Sequence, residues 1–243
     1  METLNDILGY PNRKIYQDDS CFSFSLDSVM LANFVTIRLR DQRLLDLGTG
    51  NAVIPLILSL RCNKKIVGVE IQSKVAKLAQ KSVDYNKLGG QIDIINLDMK
   101  DYLSDVTRET FDVIVCNPPY FKANKDSYFN DSKEKCVARH EIAITLDELL
   151  TVVKGLLKNN GTFAMVHRPE RLLEIFDLFR KNHIEPKRIR FVYGTIDKES
   201  TLVLIEGSKN GKAGLKIEPP FLMYQPDGRM TEEYEKMLVE VKS

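Results

Sequence analysis

The 243-residue sequence places its candidate chemistry directly after short apolar runs. "RLLDL" (43–47) carries Asp46 and leads into Gly48 and Gly50. "KIVGVE" (65–70) ends in Glu70, and "QIDIIN" (91–96) is followed by Asp98. "FDVIV" (111–115) delivers Asn117 within "CNPPYF" (116–121). Gly48 and Gly50 allow a tight turn and let a ligand approach with no Cβ in the way. A carboxylate at Glu70 is positioned to accept bonds from both hydroxyls of a ribose. A glycine turn and an acid also suit a dinucleotide, but the G-x-G-x-x-G fingerprint fails, because Val53 occupies the third glycine position. Asp46 is poorly placed beside phosphate and suits a cationic amino group instead. Ribose, ammonium and adenine together describe S-adenosylmethionine, with Asp98 bonding the adenine amine. The competing reading of Glu70 and Asp98 is helix N-capping, which acids favour.

Asn117 poses a separate question. Two successive prolines end a strand abruptly, fix φ and remove N–H donors. An asparagine at a strand tip, followed by Pro118, Pro119, Tyr120 and Phe121, is either a rigid turn with incidental neighbours or a device with a purpose.

These residues need a scaffold. The four runs, with "GTFAMV" (161–166) as a fifth, read as buried parallel strands. Between them lie helical patterns. "NAVIPLILSLRC" (51–62) is apolar nearly all round, and Pro55 places its start near Ala52. "IQSKVAKLAQKSVDYNKLGG" (71–90) is amphipathic and stops at Gly89-Gly90. "TLDELLTVVKGLLKNNG" (145–161) opens on a capping box, Thr145 with Glu148, and stops at Gly161. "RPERLLEIFDLFRKN" (168–182) is a further amphipathic helix. Such alternation is the signature of a doubly wound α/β sheet, whose ligands bind outside the carboxyl ends of its strands. "KRIRFVYGT" and "STLVLIEGSK" read as an antiparallel pair closing one edge. A single domain over 1–243 is expected. Its 1–40 extension carries the helix "SLDSVMLANFVTIRL" over the sheet or its ligand edge, and 41–243 forms a Rossmann-like core with a C-terminal tail.

Composition narrows the class. Net charge is +1, so any nucleic-acid surface must be local. No run approaches the length of a membrane helix, and the start is not a signal peptide. Cys21, Cys62, Cys116 and Cys136 lack C-x-x-C spacing and read as free cytosolic thiols. The three histidines are far apart, so no metal site is expected.

"LLDLGTGNAVIPLIL", Glu70, Asp98 and "CNPPYF" resemble the class I S-adenosylmethionine-dependent methyltransferases with an Asn-Pro-Pro-Tyr motif. "FSFSLDSVMLANFV" (22–35), "NPPYFK" (117–122), "ARHEIAITLDELL" (138–150) and "LKIEPPFLMYQPDGRMTEEY" (215–234) resemble the bacterial tRNA adenine-N6 methyltransferases, which modify the adenine beside the anticodon of a valine tRNA. Asn51 departs from the glycine of many relatives. The resemblance implies a mostly parallel class I sheet, S-adenosylmethionine as donor with S-adenosylhomocysteine as product, and no metal. It also implies a tRNA substrate and a cytoplasmic location; no obligate protein partner is evident in the sequence, which leaves open whether a second protein delivers the substrate. Phe24 and Asp27 would cover the cofactor, and Asn117, Pro118, Pro119 and Tyr120 would form the catalytic motif.

The motif then acquires a mechanism. The amine of adenine is a poor nucleophile because its lone pair is delocalised into the ring. If the Asn117 side-chain oxygen and the Pro118 carbonyl each accept one amine hydrogen, the lone pair is pushed toward the methyl group. Tyr120 can stack on the base and Phe121 extend that wall. Guanine N2 in ribosomal RNA, adenine in DNA and a protein glutamine fit the same device; a non-catalytic cofactor-binding module has no use for it. RNA binding needs cations near the pocket. Candidates are Lys122 and Arg139 in the loop after the motif, and Arg188 and Arg190 in "RKNHIEPKRIR" (180–190). In Arg139-His140-Glu141, Arg139 could meet phosphate, and His140 could stack on a base, cap a helix or be purely structural.

Overall fold

A computed structural model describes residues 1–8, 10–18, 25–119 and 144–239. Five parallel strands form its centre: β3 (Arg43–Leu47), β4 (Lys65–Glu70), β5 (Ile92–Asn96), β6 (Phe111–Cys116) and β7 (Leu157–His167). β9 (Ser200–Lys209) runs antiparallel between β7 and β8 (Ile184–Tyr193). Two short tail strands, β10 (Lys216–Ile217) and β11 (Phe221–Leu222), pair with the outer edge of β8. The order is β10-β8-β9-β7-β6-β3-β4-β5, an α/β doubly wound sheet with an antiparallel pair toward one side.

Alternation along the strands decides which helices cover which face. Leu44, Ile66, Val113 and Val115 point toward α1 (Leu26–Phe34), α2 (Val53–Arg61) and α3 (Ser73–Tyr85). Leu45, Leu47, Val67, Val69 and Ile114 point toward α4 (Met99–Asp105), α5 (Leu146–Leu156) and α6 (Leu172–Lys181). The same parity carries Asp46, Glu70 and Asn117 to the α1-α2-α3 face. All three therefore stand at neighbouring strand tips on one side of the sheet.

Several boundaries differ from the expected ones. α1 ends at Phe34 rather than running to Leu39, because Arg61 and Arg188 take its terminal carbonyls: Arg61 bonds Ala32 O and Val35 O, and Arg188 bonds Phe34 O. α3 ends at Tyr85, before the glycine pair, with Lys87 in the left-handed region (φ 58°) and Leu88 N bonded to Val83 O. The Thr145–Glu148 capping box is formed, but α5 stops at Leu156. There Lys209 Nζ donates to Lys154 O at 2.7 Å and to Leu157 O at 2.9 Å, and β7 begins at once. Gly161 lies inside that strand; a Cβ on it would meet Lys158 O at 2.8 Å.

The extension holds more than the expected helix. A hairpin of β1 (Glu2–Ile7) and β2 (Tyr10–Asp18) precedes α1. β2 docks on α3 through Tyr16 N to Ser82 Oγ (2.9 Å) and Lys14 N to Asn86 Oδ1 (3.1 Å). A C-terminal helix, α7 (Glu232–Val239), closes the tail.

Candidate active site

After β3 the chain turns back over β4: Gly48 N and Thr49 N both donate to Val69 O at 2.9 Å. Gly48 (φ 71°) and Gly50 (φ 58°) adopt left-handed conformations that glycine enters without strain. The space where their Cβ atoms would project is open. Glu70 ties the turn down. Its Oε2 accepts from Gly50 N at 3.0 Å and its Oε1 from Gln72 N at 2.9 Å. Burial raises the pKa of Glu70 above the ordinary carboxylate value. Four lone-pair sites on a carboxylate leave capacity for further donors.

Asp46 is fully buried beneath this turn. Thr49 donates its hydroxyl to Asp46 Oδ2 at 2.7 Å, while Asp46 Oδ1 has no hydrogen-bond partner among the described residues. Burial, reinforced by the charge of Glu70, pushes the carboxyl up to about 7 despite the Thr49 bond. A buried carboxylate oxygen without a donor is costly. The protonated acid relieves that cost, and so would a cation seated above it. This is the chemistry that the α-amino group of S-adenosylmethionine needs. Burial and the Asp46 charge raise the thiol of neighbouring Cys116 well above its ordinary value, so it stays neutral.

Asn117 leaves the tip of β6 half-buried, with Pro118 buried and Pro119 exposed. Its Nδ2 donates to Ser28 Oγ at 2.9 Å and lies 3.3 Å from Ser25 Oγ. Asp27, between these serines, is half-buried in the first turn of α1. Asp98 is the N-cap of α4: its Oδ1 accepts from Lys100 N at 2.8 Å, so the capping reading holds there whatever else the carboxylate binds. Phe24, Tyr120, Phe121, Lys122 and Arg139 lie outside the described residues.

Arg188 and Arg190 both reach into the protein. Arg188 pairs with Glu206 (2.9 Å) and Glu218 (3.1 Å) and lies over the Phe34 ring at 4.0 Å. Arg190 forks onto Glu233 with contacts of 2.7 and 2.6 Å and bonds Pro219 O. Both therefore fasten the tail to β8. A polar basin of about 430 Å³, bordered by Arg38, Arg40, Lys187 and Lys212, lies at the opposite edge of the sheet from Asp46 and Asn117.

Thr49, Ser25 and Ser28 were not singled out from sequence. Thr49 sits inside "DLGTG", where a hydroxyl three residues after an acid is a weak signal. The serines are three apart on one helical face, but their target is 89 residues away in sequence.

A doubly wound sheet of this order, with a glycine turn, a buried acid and an acidic strand tip at its carboxyl edge, defines a class I methyltransferase architecture. The chain belongs to the methyltransferase small domain family, whose profile matches residues 25–182. A tRNA1(Val) (adenine(37)-N6)-methyltransferase of Bacteroides fragilis (strain YCH46) is 31% identical over 152 residues, 63% of this chain and 62% of that protein, so the match spans less than two thirds of that relative. One of the same name from Parabacteroides distasonis is 28% identical over 192 residues, 79% of each. Among solved structures, a predicted O-methyltransferase from Agrobacterium tumefaciens superimposes with a TM-score of 0.70 at 17% identity, covering 87% of this chain and 95% of that one. No metal-binding cluster of His, Cys, Asp or Glu occurs among the described residues, and no described helix is long and apolar enough to cross a membrane.

Proposed function

We propose that the protein transfers a methyl group from S-adenosylmethionine to the N6 amine of an adenine in tRNA, in valine tRNA the adenine at position 37 beside the anticodon. The observation that carries the proposal is the placement of Asn117 at the tip of β6, on the same face as Asp46 and Glu70, with its amide NH2 turned to Ser28. The names of the relatives above support the choice of target.

The sulfonium supplies an electrophilic methyl group. Asp46, ionised, receives the donor's ammonium, and Glu70 receives the ribose hydroxyls. Asp98 uses its remaining acceptor capacity for the adenine amine of the donor, and Phe24 with Asp27 covers it. Asn117 Oδ1 and the Pro118 carbonyl accept the two hydrogens of the target amine and aim its lone pair at the methyl carbon. The nitrogen–carbon bond forms as the sulfur–carbon bond breaks; sulfur keeps that electron pair, and the nitrogen sheds a proton once it is alkylated. Tyr120 is the floor under the base and Phe121 its extension. Lys122 and Arg139, in the loop that follows the motif, supply the basic surroundings of the RNA; Arg188 and Arg190 are spent on Glu206, Glu218 and Glu233 and take no part in it.

Two measurements test this. Donor labelled in its methyl group, offered to separate pools of tRNA, ribosomal RNA, DNA and release factor, is expected to label tRNA; label confined to protein would overturn the RNA assignment. Asn117→Ala is expected to keep donor affinity and lower transfer by about 100-fold or more. Transfer surviving in that variant would refute the role of the motif.

A further inference from the structure

Resting on the proposed tRNA substrate, we infer that the polar basin at the far edge of the sheet is a second contact point for that RNA, seating a phosphate of its backbone away from the methylated base. The basin, about 430 Å³, is bordered by Arg38, Arg40, Lys187 and Lys212. These cations come from three separate segments: the stretch after α1, strand β8 and the stretch after β9. None of the four forms an ion pair among the described residues. Arg38 and Lys187 donate to backbone carbonyls instead, Asn160 O at 3.1 Å and Lys212 O at 2.9 Å. The basin also holds a carboxylate, Glu206, but its Oε2 already accepts from Arg188 and from Thr36 N, both at 2.9 Å. Four like charges around one hollow repel one another, and an anion seated among them relieves that repulsion.

A second observation points the same way. Thr162 lines the basin, is 1% exposed, and its hydroxyl has no hydrogen-bond partner among the described residues. It stands in register with Val113 and shares the parity of Ala164 and Val166, so its side chain lies on the α1 face of the sheet. A buried hydroxyl without a partner is costly. A phosphate oxygen in the basin would accept its proton. Guanidinium, ammonium and hydroxyl donors are the groups that hold backbone phosphates without reading sequence.

The basin also lies within reach of an RNA whose base stands at Asn117. α1 links the two places: Ser28, near its start, contacts Asn117, and Arg38 and Arg40 follow its end. Its nine residues span about 14 Å. That is on the order of four base steps of about 3.4 Å each. A phosphate held in the basin would fix the register of the RNA without touching the reacting atoms.

The experiment uses the full-length protein and an unmodified valine tRNA transcript. Fluorescence anisotropy of the end-labelled transcript reads binding without transfer, and labelled S-adenosylmethionine reads kcat and KM. Arg40→Ala/Lys212→Ala removes two exposed cations. It is expected to weaken tRNA binding and raise KM about 10-fold, and to make the slope of log K against log salt shallower by about 1.5 to 2. The kcat at saturating tRNA, donor Kd and melting temperature should stay close to wild type. Arg40→Lys/Lys212→Arg keeps both charges and should bind tRNA nearly as the wild type does. Thr162→Val should weaken tRNA binding about 3- to 10-fold while the free protein melts no lower than wild type, because the hydroxyl it loses has no partner there. A tRNA affinity within about 2-fold of wild type and an unchanged salt slope in the double-alanine variant would overturn the inference. That holds even if inorganic pyrophosphate raised the wild-type melting temperature, since the basin would then serve a small phosphate compound and not the RNA. If the wild type labels no tRNA, the proposed function fails and takes this inference with it; if it labels tRNA and the variants bind as it does, this inference alone fails.

Discussion

Thr49 donates to Asp46 at 2.7 Å, and this single bond serves one oxygen of a carboxylate that the sheet buries completely. Folding therefore favours the neutral acid, whose pKa burial raises to about 7 in the protein. Below about pH 4 the group is protonated in folded and unfolded chains alike. Between there and about 7 the unfolded chain releases its proton while the folded chain keeps it, so this contribution to stability is lost as pH rises. The limit is about 4 kcal/mol. The donor-free protein is expected to lose melting temperature between pH 5 and about 7.5, and Asp46→Asn should flatten that part of the profile. Calorimetric melting of both proteins across the range decides it.

The proposed seat of the donor's ammonium on Asp46 would make donor binding a proton-linked event. An ammonium above Asp46 stabilises the ionised form, so binding near pH 6 releases a proton and tightens as pH rises toward about 7. Titration calorimetry in two buffers of different ionisation enthalpy should report that release in the wild type. Asp46→Asn should bind about 10- to 100-fold more weakly and release none. Equal heats in both buffers for the wild type would contradict the assignment of Asp46.

Gly68 supports this arrangement from the neighbouring strand. It pairs with Asp46 in the β3–β4 register. A Cβ on it would meet Thr49 Oγ1 at 2.8 Å and Thr49 Cγ2 at 2.9 Å. Gly68→Ala is expected to push Thr49 off Asp46 and weaken donor binding by about 10-fold, with about 1–3 kcal/mol of stability lost to overpacking. Donor titration and chemical denaturation of the variant test both parts, and Thr49→Ser in the Gly68→Ala background should recover some affinity by making room.

Lys209 offers a prediction about stability alone. Its buried ammonium bonds Lys154 O, Leu157 O and Glu109 Oε1, the last at 2.8 Å. Lys209→Met keeps the stem but leaves two carbonyls at the end of α5 without that donor. A loss of about 2–4 kcal/mol is expected in urea denaturation. Transfer per folded molecule should not change, because the group lies at the far end of β7 from Asn117.

The parts of the fold legible in the sequence are those dictated by local physics. Buried parallel strands announce themselves as apolar runs, and the Thr145–Glu148 box announces a helix start. The end of α5 was not legible. Its sequence continues in a helical vein to Asn160, and the stop is imposed by Lys209, some fifty residues downstream. The β1–β2 hairpin was missed because it buries little beyond Ile7, Tyr10 and Ile15, which leaves no apolar alternation to read. Asp46 and Glu70 could be placed together because each ends a run. Ser25 and Ser28 could not be connected to Asn117, since nothing in α1 states what stands opposite it. The arginines at 188 and 190 look like a cation track in the sequence. Glu206, Glu218 and Glu233, which engage them, are scattered over the following forty-odd residues.

Those pairings bear on how the molecule avoids its own kind. β8 would be an open edge of ten residues, a row of unpaired N–H and C=O groups ready to take a strand from another copy. The tail fills that row at Arg188–Ile189 and Val192–Tyr193 and is fastened there by Glu218 and Glu233. A chain ending at Asn210 should therefore self-associate, visible as concentration-dependent light scattering, even though every strand of the central sheet is retained. The tail thus acts as a selvedge, the woven border that keeps the sheet from being extended by its neighbours.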